Sequence, residues 1–257
     1  MIPILVKIGP VSIGSYGVMM ATAFLTVWWL LKREFERNGY NPDWSYTLVF
    51  VTALAGIAGA RIYFIFEHLP EFRLDPLGMI FSGSGLTWYG GFLAGFAAAL
   101  LVLWKLPAPT LVLADLVAPL LLLGYAIGRI GCFLSGDGDY GPPTNLPWGM
   151  AFPHGLVPTT VRVHPTPLYE TTLSLILFAI LWKWRKKEHP PGLMLSGMLV
   201  FYGLERFVTE FWRRTPKILW GWMSMAQIIS VFLIVAGGIW GYFLLRKWKT
   251  PKLAEAS

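Results

Sequence analysis

The sequence predicts an all-α integral membrane protein with seven transmembrane helices. Hydrophobic residues make up 55% of its 257 residues, only 14% are charged, and the mean hydropathy is +0.57. Soluble domains carry about 25% charged residues, so this composition excludes an ordinary soluble domain. Apolar windows of about 20 residues, long enough to cross roughly 30 Å of hydrocarbon as a helix, recur along the chain.

Seven such windows are predicted to form the spans. No short apolar segment with a small-residue cleavage site precedes the first window, so we expect that window to remain in the mature protein. We expect residues 1–257 to form a single polytopic membrane domain. The windows cover residues 11–31, 46–66, 86–104, 110–133, 167–184, 192–210 and 221–244.

The distribution of basic residues predicts the orientation of these spans. Twelve lysines and arginines fall on one side of the predicted membrane and six on the other. By the positive-inside rule the side with twelve is cytoplasmic, which places the N-terminus outside and the C-terminus in the cytoplasm. Anionic lipid headgroups account for the net charge of +7, and no nucleic-acid partner is predicted because the basic residues do not cluster on one soluble module. The twelve are Lys32, Arg33, Arg37, Lys105, Lys183, Arg185, Lys186, Lys187, Arg246, Lys247, Lys249 and Lys252; the six are Lys7, Arg73, Arg162, Arg213, Arg214 and Lys217.

Two connections on the predicted outer side are longer than the others. Residues 67–85, the arm segment, mix charges, two prolines and a short apolar piece, which suggests an arm lying on the membrane surface. Residues 134–166, the cap segment, are the largest polar stretch, and their prolines and glycines prevent a continuous helix. We therefore expect a compact extracytoplasmic cap that folds over a cavity.

Three further arginines, Arg61, Arg129 and Arg206, fall inside predicted spans. Each would cost about 2.5–3.5 kcal/mol if left uncompensated at the bilayer centre. One reading is structural, with ion pairs to acidic residues in the spans or snorkelling to the surface. The other is an anion site, because guanidinium forks match phosphate oxygens and stay charged in an apolar pocket, which favours a phospholipid ligand. The acidic residues available for ion pairs are Asp115, Glu170 and Glu205.

Several motifs together resemble one family. The stretch GRIGCFLSGDGDYGPPTNLPWGMAFP at 128–153 is similar to the signature of bacterial prolipoprotein diacylglyceryl transferases, and HPTPLYE at 164–170 and YGLERFVTEFWRR at 202–214 match two further motifs of that family. Three shorter stretches also match in the same order as in the family, so the resemblance as a whole covers almost the entire chain. These are SYGVM near Tyr16, GARIY near Arg61 and MSMAQIIS at 223–230.

The resemblance implies a transferase of the bacterial inner membrane that acts in lipoprotein biosynthesis. It would move the diacylglyceryl group of phosphatidylglycerol to the lipobox cysteine thiol of a preprolipoprotein signal peptide, with glycerol phosphate as the leaving product. Its two essential arginines fall on Arg129 and Arg206, and we expect these, with Tyr89 and Asp137, to be catalytic. The expected lipid-binding residues are Arg129, Arg206, Tyr16, Cys132, Gly141, Glu210, Arg213 and Arg61.

No cofactor is implied, and four scattered histidines with one cysteine indicate no metal site. Glu210 and Arg213 stand three residues apart, so they are expected to form a charged pair on one helix face.

The chain departs from the family pattern at three places. Tyr89 stands where the family commonly has histidine, its usual candidate for the general base, and Cys132 stands where it has asparagine. Ser135, Gly136 and Asp137 replace Asn-Gly-Glu, and one additional residue separates Asp137 from Tyr140. Tyrosine, with an unperturbed pKa of about 10, is a poor base at neutral pH but can donate a hydrogen bond to a phosphate oxygen.

Some readings stay open. His164 and Glu170 either anchor the cap segment to the next helix or take part in the site, and Asp137 either accepts a proton or caps its own loop. Glu205 is expected to pair with a buried arginine, and Cys132 to be a small buried residue. Two alternative functions remain: a paralogue with a different acceptor, and a non-catalytic protein that binds or translocates lipid.

Overall fold

The computed structural model describes residues 1–9, 11–81, 87–219 and 221–254. The chain is mostly helical over these residues, because long apolar runs satisfy their backbone hydrogen bonds internally when they form helices. The helices are α1 (Ser15–Arg37), α2 (Asp43–Glu67), α3 (Leu69–Leu74), α4 (Pro76–Phe81), α5 (Trp88–Lys105), α6 (Thr110–Ser135), α7 (Thr166–Trp184), α8 (Leu193–Thr209) and α9 (Met225–Ala254).

Among the described residues, six short strands pair as three antiparallel two-stranded sheets, which the sequence did not predict. The second strand of the first sheet occupies residues 11–14, at the start of the first apolar window. For this reason α1 begins at Ser15 rather than at residue 11. A 3-10 helix, Glu210–Trp212, continues directly from α8. The strands are β1 (Ile4–Ile8), β2 (Val11–Gly14), β3 (Met150–Phe152), β4 (Thr159–Val163), β5 (Lys217–Leu219) and β6 (Met223–Ser224).

Each of the seven predicted windows contains one long helix over most of its described residues, and residue 86 of the third window lies outside the described residues. By length and composition, four of these helices can cross a membrane: α2, α5, α6 and α9 from Met225 to Trp248. The helices α1, α7 and α8 are shorter or less apolar. In α2 only 11% of the apolar window is buried, as expected of side chains that face lipid. The chain is therefore an all-α, multi-pass membrane protein.

The chain divides into two compact units, and the first comprises Met1–Val27 and Ala114–Ser257. Its apolar core is formed by α6, α7 and α8. Close packing of α1 on α6 follows from glycines at 124, 128 and 131, which lie on one face of α6. Asp115, near the start of α6, accepts the backbone N–H groups of Gly192 at 2.7 Å and Leu195 at 2.9 Å and so caps the first turn of α8. The core residues are Ala118, Leu122, Leu177, Leu181, Met194 and Met198.

The second unit, Trp28–Leu113, is built on α2 and α5. A Cβ atom at Gly59 or Gly90 would overlap the facing backbone, so the two helices touch at glycine as close pairs in membranes do. The arm segment begins with the short helices α3 and α4, and its residues 82–85 lie outside the described residues.

The cap segment belongs to the first unit. After α6 ends at Ser135, it contains no helix before α7 begins, as predicted, and the β3–β4 sheet forms its centre. Positive φ angles at Gly136 (60°) and Gly138 (96°) turn the chain sharply there, which other residues adopt only with strain. This turn brings the start of the cap segment back over the end of α6.

Candidate active site

Arg129, near the end of α6, is buried and lies among acidic groups from two other segments. Its Nε forms an ion pair with Oε2 of Glu170 on α7, and its Nη1 donates to Oδ2 of Asp139 in the cap segment at 2.5 Å. Nη1 also contacts the Cys132 sulfur at 3.4 Å. Arg129 therefore links α6 to α7 and to the cap segment.

Glu170 is the centre of the arrangement. Its carboxylate is completely buried, and Oε1 accepts one hydrogen bond of 3.0 Å from Arg206 Nη1 and another of 3.0 Å from Arg213 Nη1. With the Arg129 pair, one carboxylate contacts three guanidinium groups. Glu170 therefore joins the three arginines to one another, and a part for it in the reaction stays a prediction.

Arg206 and Arg213 are also held by Glu210, at the first residue of the 3-10 helix. The distance from Arg206 Nη2 to Glu210 Oε2 is 2.8 Å, and that from Arg213 Nε to the same oxygen is 3.8 Å. The predicted pair of Glu210 with Arg213 is present, although the closer partner of Glu210 is Arg206. The predicted common helix face is wrong, because the 3-10 helix ends at Trp212 and Arg213 has an extended backbone. Glu210 is itself buried and accepts the Ser224 hydroxyl at 2.7 Å.

Asp139 closes the arrangement from the cap side. Its Oδ1 accepts a hydrogen bond of 2.6 Å from Arg213 Nη2, while its Oδ2 pairs with Arg129. Burial alone would raise the pKa of the Asp139 carboxyl, but the positive charges of Arg129 and Arg213 outweigh burial and hold that pKa below its usual value. Asp139 therefore stays ionised at neutral pH.

We call these six residues the ion-pair cluster: Arg129, Arg206, Arg213, Asp139, Glu170 and Glu210. Three guanidinium groups meet three carboxylates, so the cluster is formally neutral, and Arg129 and Arg206 both pair with Glu170, one of the acidic residues that the sequence offered them. Hydrogen-bonding capacity remains, however. The buried Nη2 of Arg129 has no hydrogen-bond partner among the described residues, and a buried donor left unsatisfied costs about 1–3 kcal/mol.

The carboxylates also position the arginines. Each guanidinium is held by carboxylates on one side, so its remaining N–H groups are already oriented. Binding of an anion to them therefore costs little additional conformational entropy. The ion pairs therefore hold the three guanidinium groups in place, while Arg129 Nη2 keeps a donor that no described residue uses.

Tyr16, Cys132 and Asp137 lie beside the cluster. Tyr16 packs against α6, where a Cβ at Gly131 would lie 3.3 Å from its Cδ2 atom. Cys132 is buried, as predicted. Asp137 Oδ1 accepts the backbone N–H of Asp139 at 3.1 Å, which is the loop-capping geometry considered from the sequence.

Gly141 and His164 set the join between the cap segment and α7. A Cβ at Gly141 would overlap the carbonyl oxygen of Trp212, and the Gly141 N–H donates to the His164 carbonyl at 2.8 Å. His164 Nδ1 lies 3.1 Å from the Tyr169 hydroxyl. These contacts fix the backbone immediately before Arg213 against the backbone beside Asp139.

Glu205 departs from its sequence expectation. It is fully buried, but among the described residues it forms no ion pair, and its polar partner is Thr209, whose hydroxyl lies 3.5 Å from Oε1. The prediction that Glu205 pairs with a buried arginine is wrong, because Arg206 turns instead toward Glu170 and Glu210.

Two predicted site residues lie in the second unit. Tyr89, at the second position of α5, is exposed and packs edge to face with Trp88 at 5.3 Å between ring centroids. Arg61 Nη1 donates to the Met79 carbonyl of the arm segment at 3.1 Å. A part for either residue in the site stays a prediction.

Cys132, Asp137 and Asp139 place ligand atoms within 4.8 Å of one another. Both Asp139 oxygens already accept from guanidinium groups, and the Cys132 sulfur contacts Arg129. The arginines therefore already offset the charge of Asp139.

Sequence reasoning missed Asp139. It named Glu170 as one of three acids available to pair with the intramembrane arginines and left its role in the site open. A signal for Asp139 was present, because it lies in the segment with one additional residue between Asp137 and Tyr140. For Glu170 the signal was its place at the end of the HPTPLYE motif, one turn into a helix.

Comparison with known proteins identifies the family of the chain. The family model for prolipoprotein diacylglyceryl transferase matches residues 3–243. A phosphatidylglycerol–prolipoprotein diacylglyceryl transferase of Pseudomonas putida is 36% identical over 248 residues, covering 91% of each chain. Proteins of the same name from Clostridium tetani and Chromohalobacter salexigens are each 33% identical and cover 91% of this chain, and the match covers 94% and 89% of their own lengths. The chain therefore belongs to the prolipoprotein diacylglyceryl transferase family.

Proposed function

We propose that the ion-pair cluster is the site at which this transferase moves the diacylglyceryl group of phosphatidylglycerol to the lipobox cysteine of a prolipoprotein. The observation that carries the proposal is the convergence of Arg129, Arg206 and Arg213 on Glu170, with a buried N–H group of Arg129 left without a partner. Such a set of donors fits the oxygens of a phosphodiester.

Arg129 and Arg206 would hold the phosphate. The cysteine sulfur attacks the carbon of the diacylglyceryl group that is bonded to a phosphate oxygen. The bond between that carbon and that oxygen breaks, and its electron pair leaves with glycerol phosphate. Negative charge on that phosphate grows along the way, and positioned guanidinium groups in a dry site stabilise it. Holding lipid and peptide together accounts for a further part of the acceleration.

The thiol must also lose its proton, because a thiol with a pKa of about 8.5 is a poor nucleophile. Tyr89 would donate a hydrogen bond to the headgroup rather than act as base, so the thiol proton passes to water or to another group. Tyr16, Cys132, Asp137 and Gly141 would shape the site around the lipid.

The surrounding architecture follows from the charge distribution. We propose seven spans in the bacterial inner membrane, with the N-terminus outside, the C-terminus cytoplasmic and the cap segment covering the site from outside. Twelve basic residues on the cytoplasmic side against six on the other support this orientation. The arm segment would lie on the outer membrane surface, and the whole chain would act as one polytopic membrane domain.

The experiment is an incubation of the purified protein with labelled phosphatidylglycerol and a lipobox peptide, followed by thin-layer chromatography. Transfer of label to the peptide supports the proposal. Consumption of lipid without peptide labelling would indicate a different acceptor, and no reaction would indicate a non-catalytic lipid-binding protein. The names of the relatives favour the first outcome over both alternatives. Growth rescue of a transferase-depleted bacterium by this gene tests the same activity in the cell.

A further inference from the structure

A pocket of about 170 Å³ opens next to the ion-pair cluster, and we call it the outer pocket. About 10–15 Å³ is enough to hold one water molecule, so the outer pocket has room for a small polar anion. Its lining residues are Gly138, Asp139, Tyr140, Arg213, Arg214 and Thr215. In the proposed topology the pocket lies on the extracytoplasmic side.

The outer pocket shares two walls with the cluster. Asp139 and Arg213 line it and are paired with each other at 2.6 Å. Thr215 is tied to the cluster as well, because its hydroxyl donates to Glu210 Oε1. The outer pocket therefore lies directly beyond the Asp139–Arg213 pair, where an anion that leaves Arg129 and Arg206 can enter it.

Arg214 is the residue of the outer pocket that the cluster does not use. It is exposed, and its guanidinium carbon lies 5.9 Å from the Tyr140 ring centroid. Among the described residues it has no carboxylate partner, whereas Arg213 is bound to both Glu170 and Asp139. Arg214 therefore adds a positive charge that no acid of the site offsets.

The phosphate groups of the substrate phosphatidylglycerol and of the product glycerol phosphate differ in charge, and this difference decides which of them Arg214 favours. The phosphodiester of phosphatidylglycerol carries one negative charge, whereas a phosphate monoester carries about −1.5 to −2 at neutral pH. Arg214, whose charge no carboxylate among the described residues offsets, lies just outside the reaction site and attracts the monoester more strongly than the diester. It therefore favours movement of the product away from the cluster.

We propose that the outer pocket is a binding site for the departing glycerol phosphate, with Arg214 as its main contact. The proposal rests on the proposed function, because it needs the transfer reaction to produce this anion. The ligand is recognised by its phosphate monoester, and no covalent step takes place in the outer pocket.

The test is product inhibition of the full-length protein in proteoliposomes, with glycerol phosphate as the added inhibitor. We expect Arg214→Gln to raise the inhibition constant about tenfold, the scale of one lost charge-assisted hydrogen bond. Arg214→Lys keeps the charge and should raise it less. Lys217→Gln removes a nearby exposed charge outside the outer pocket and should leave the constant within about twofold, a change of roughly 0.4 kcal/mol.

Two results would overturn the proposal. The first is an inhibition constant that does not change in Arg214→Gln; if the KM for phosphatidylglycerol rises at the same time, Arg214 binds the lipid headgroup instead. The second is an equal rise of the inhibition constant in Lys217→Gln, which would indicate a diffuse charge effect. If the wild type transfers no lipid at all, the proposed function fails instead, so the two failures are distinguishable.

Discussion

Arg206 on α8 donates a hydrogen bond of 3.0 Å to Glu170 on α7, and the two residues stand 36 positions apart in the chain. This contact joins the motifs HPTPLYE and YGLERFVTEFWRR, which the sequence shows as separate stretches. Glu170 also contacts Arg129 and Arg213. A single buried carboxylate therefore sets the relative position of three arginines that we place around the lipid phosphate.

Replacing Glu170 should destabilise the protein strongly. Glu170→Gln leaves three guanidinium groups without their shared anion, and breaking a buried ion pair costs about 3–5 kcal/mol. We expect lower accumulation in the membrane and an earlier thermal unfolding transition in detergent. The matched control is Glu205→Gln, since Glu205 is equally buried but forms no ion pair among the described residues. Equal loss of stability in both variants would contradict the central place of Glu170.

Asp139 should make the folded protein sensitive to acid. Its pKa is held below the usual value of about 3.9 by Arg129 and Arg213. The ion pairs therefore contribute their full stability above that pH and lose it as the pH falls through the folded-state pKa. Asp139→Asn should flatten the acid side of a plot of thermal stability against pH, while Glu36→Gln, at an exposed site, should leave the slope as in the wild type. An unaltered slope in Asp139→Asn would refute the assignment.

Tyr89 is predicted to donate a hydrogen bond to the headgroup and not to remove the thiol proton. Tyr89→Phe should then weaken transfer only modestly, and the wild-type rate should rise with pH towards the pKa of the acceptor thiol, about 8.5. Tyr89→His, which restores the residue common in the family, should shift the profile to lower pH. The measurement is the pH dependence of transfer for the three proteins. A Phe variant that binds lipid normally but shows no transfer would make Tyr89 the base.

The membrane orientation can be checked with reporters. A fusion after Lys249 should be active only with a reporter that works in the cytoplasm, and an insertion near residue 145 only with one that works outside. Reversed signals would move the proposed site to the wrong face of the membrane.

Much of the helical fold could be predicted from the sequence, because long apolar runs have one stable backbone arrangement in lipid. The start of α1 was misplaced because residues 11–14 are also apolar enough for a span. In the structure they instead pair with Ile4–Ile8 as a strand. Hydropathy does not report such short-range pairing. The sheet of the cap segment was missed because its strands, of three and five residues, carry little pattern of their own.

The site was predicted in part. The placement of cations inside apolar windows singled out Arg129 and Arg206, since such charges require a partner. Which acid would pair with which arginine could not be read from the sequence, because it depends on the turn at Gly136 and Gly138 and on the packing of α7 against α8. That turn makes Asp139, rather than Asp137, the partner of Arg129.

The most direct test of the account follows both halves of phosphatidylglycerol at once, with one label in its acyl chains and another in its phosphate. In the wild type, the peptide should gain acyl label in the same molar amount as phosphate label appears in glycerol phosphate. Arg129→Lys and Arg206→Lys keep the charge but lose paired hydrogen bonds, worth about 1.5–3 kcal/mol each. Each should therefore lower both products together by roughly ten- to a hundredfold, while the protein still accumulates and Arg73→Lys, at an exposed site, stays at the wild-type rate. Undiminished transfer in both cluster variants, or phosphate release without labelled peptide, would contradict the account.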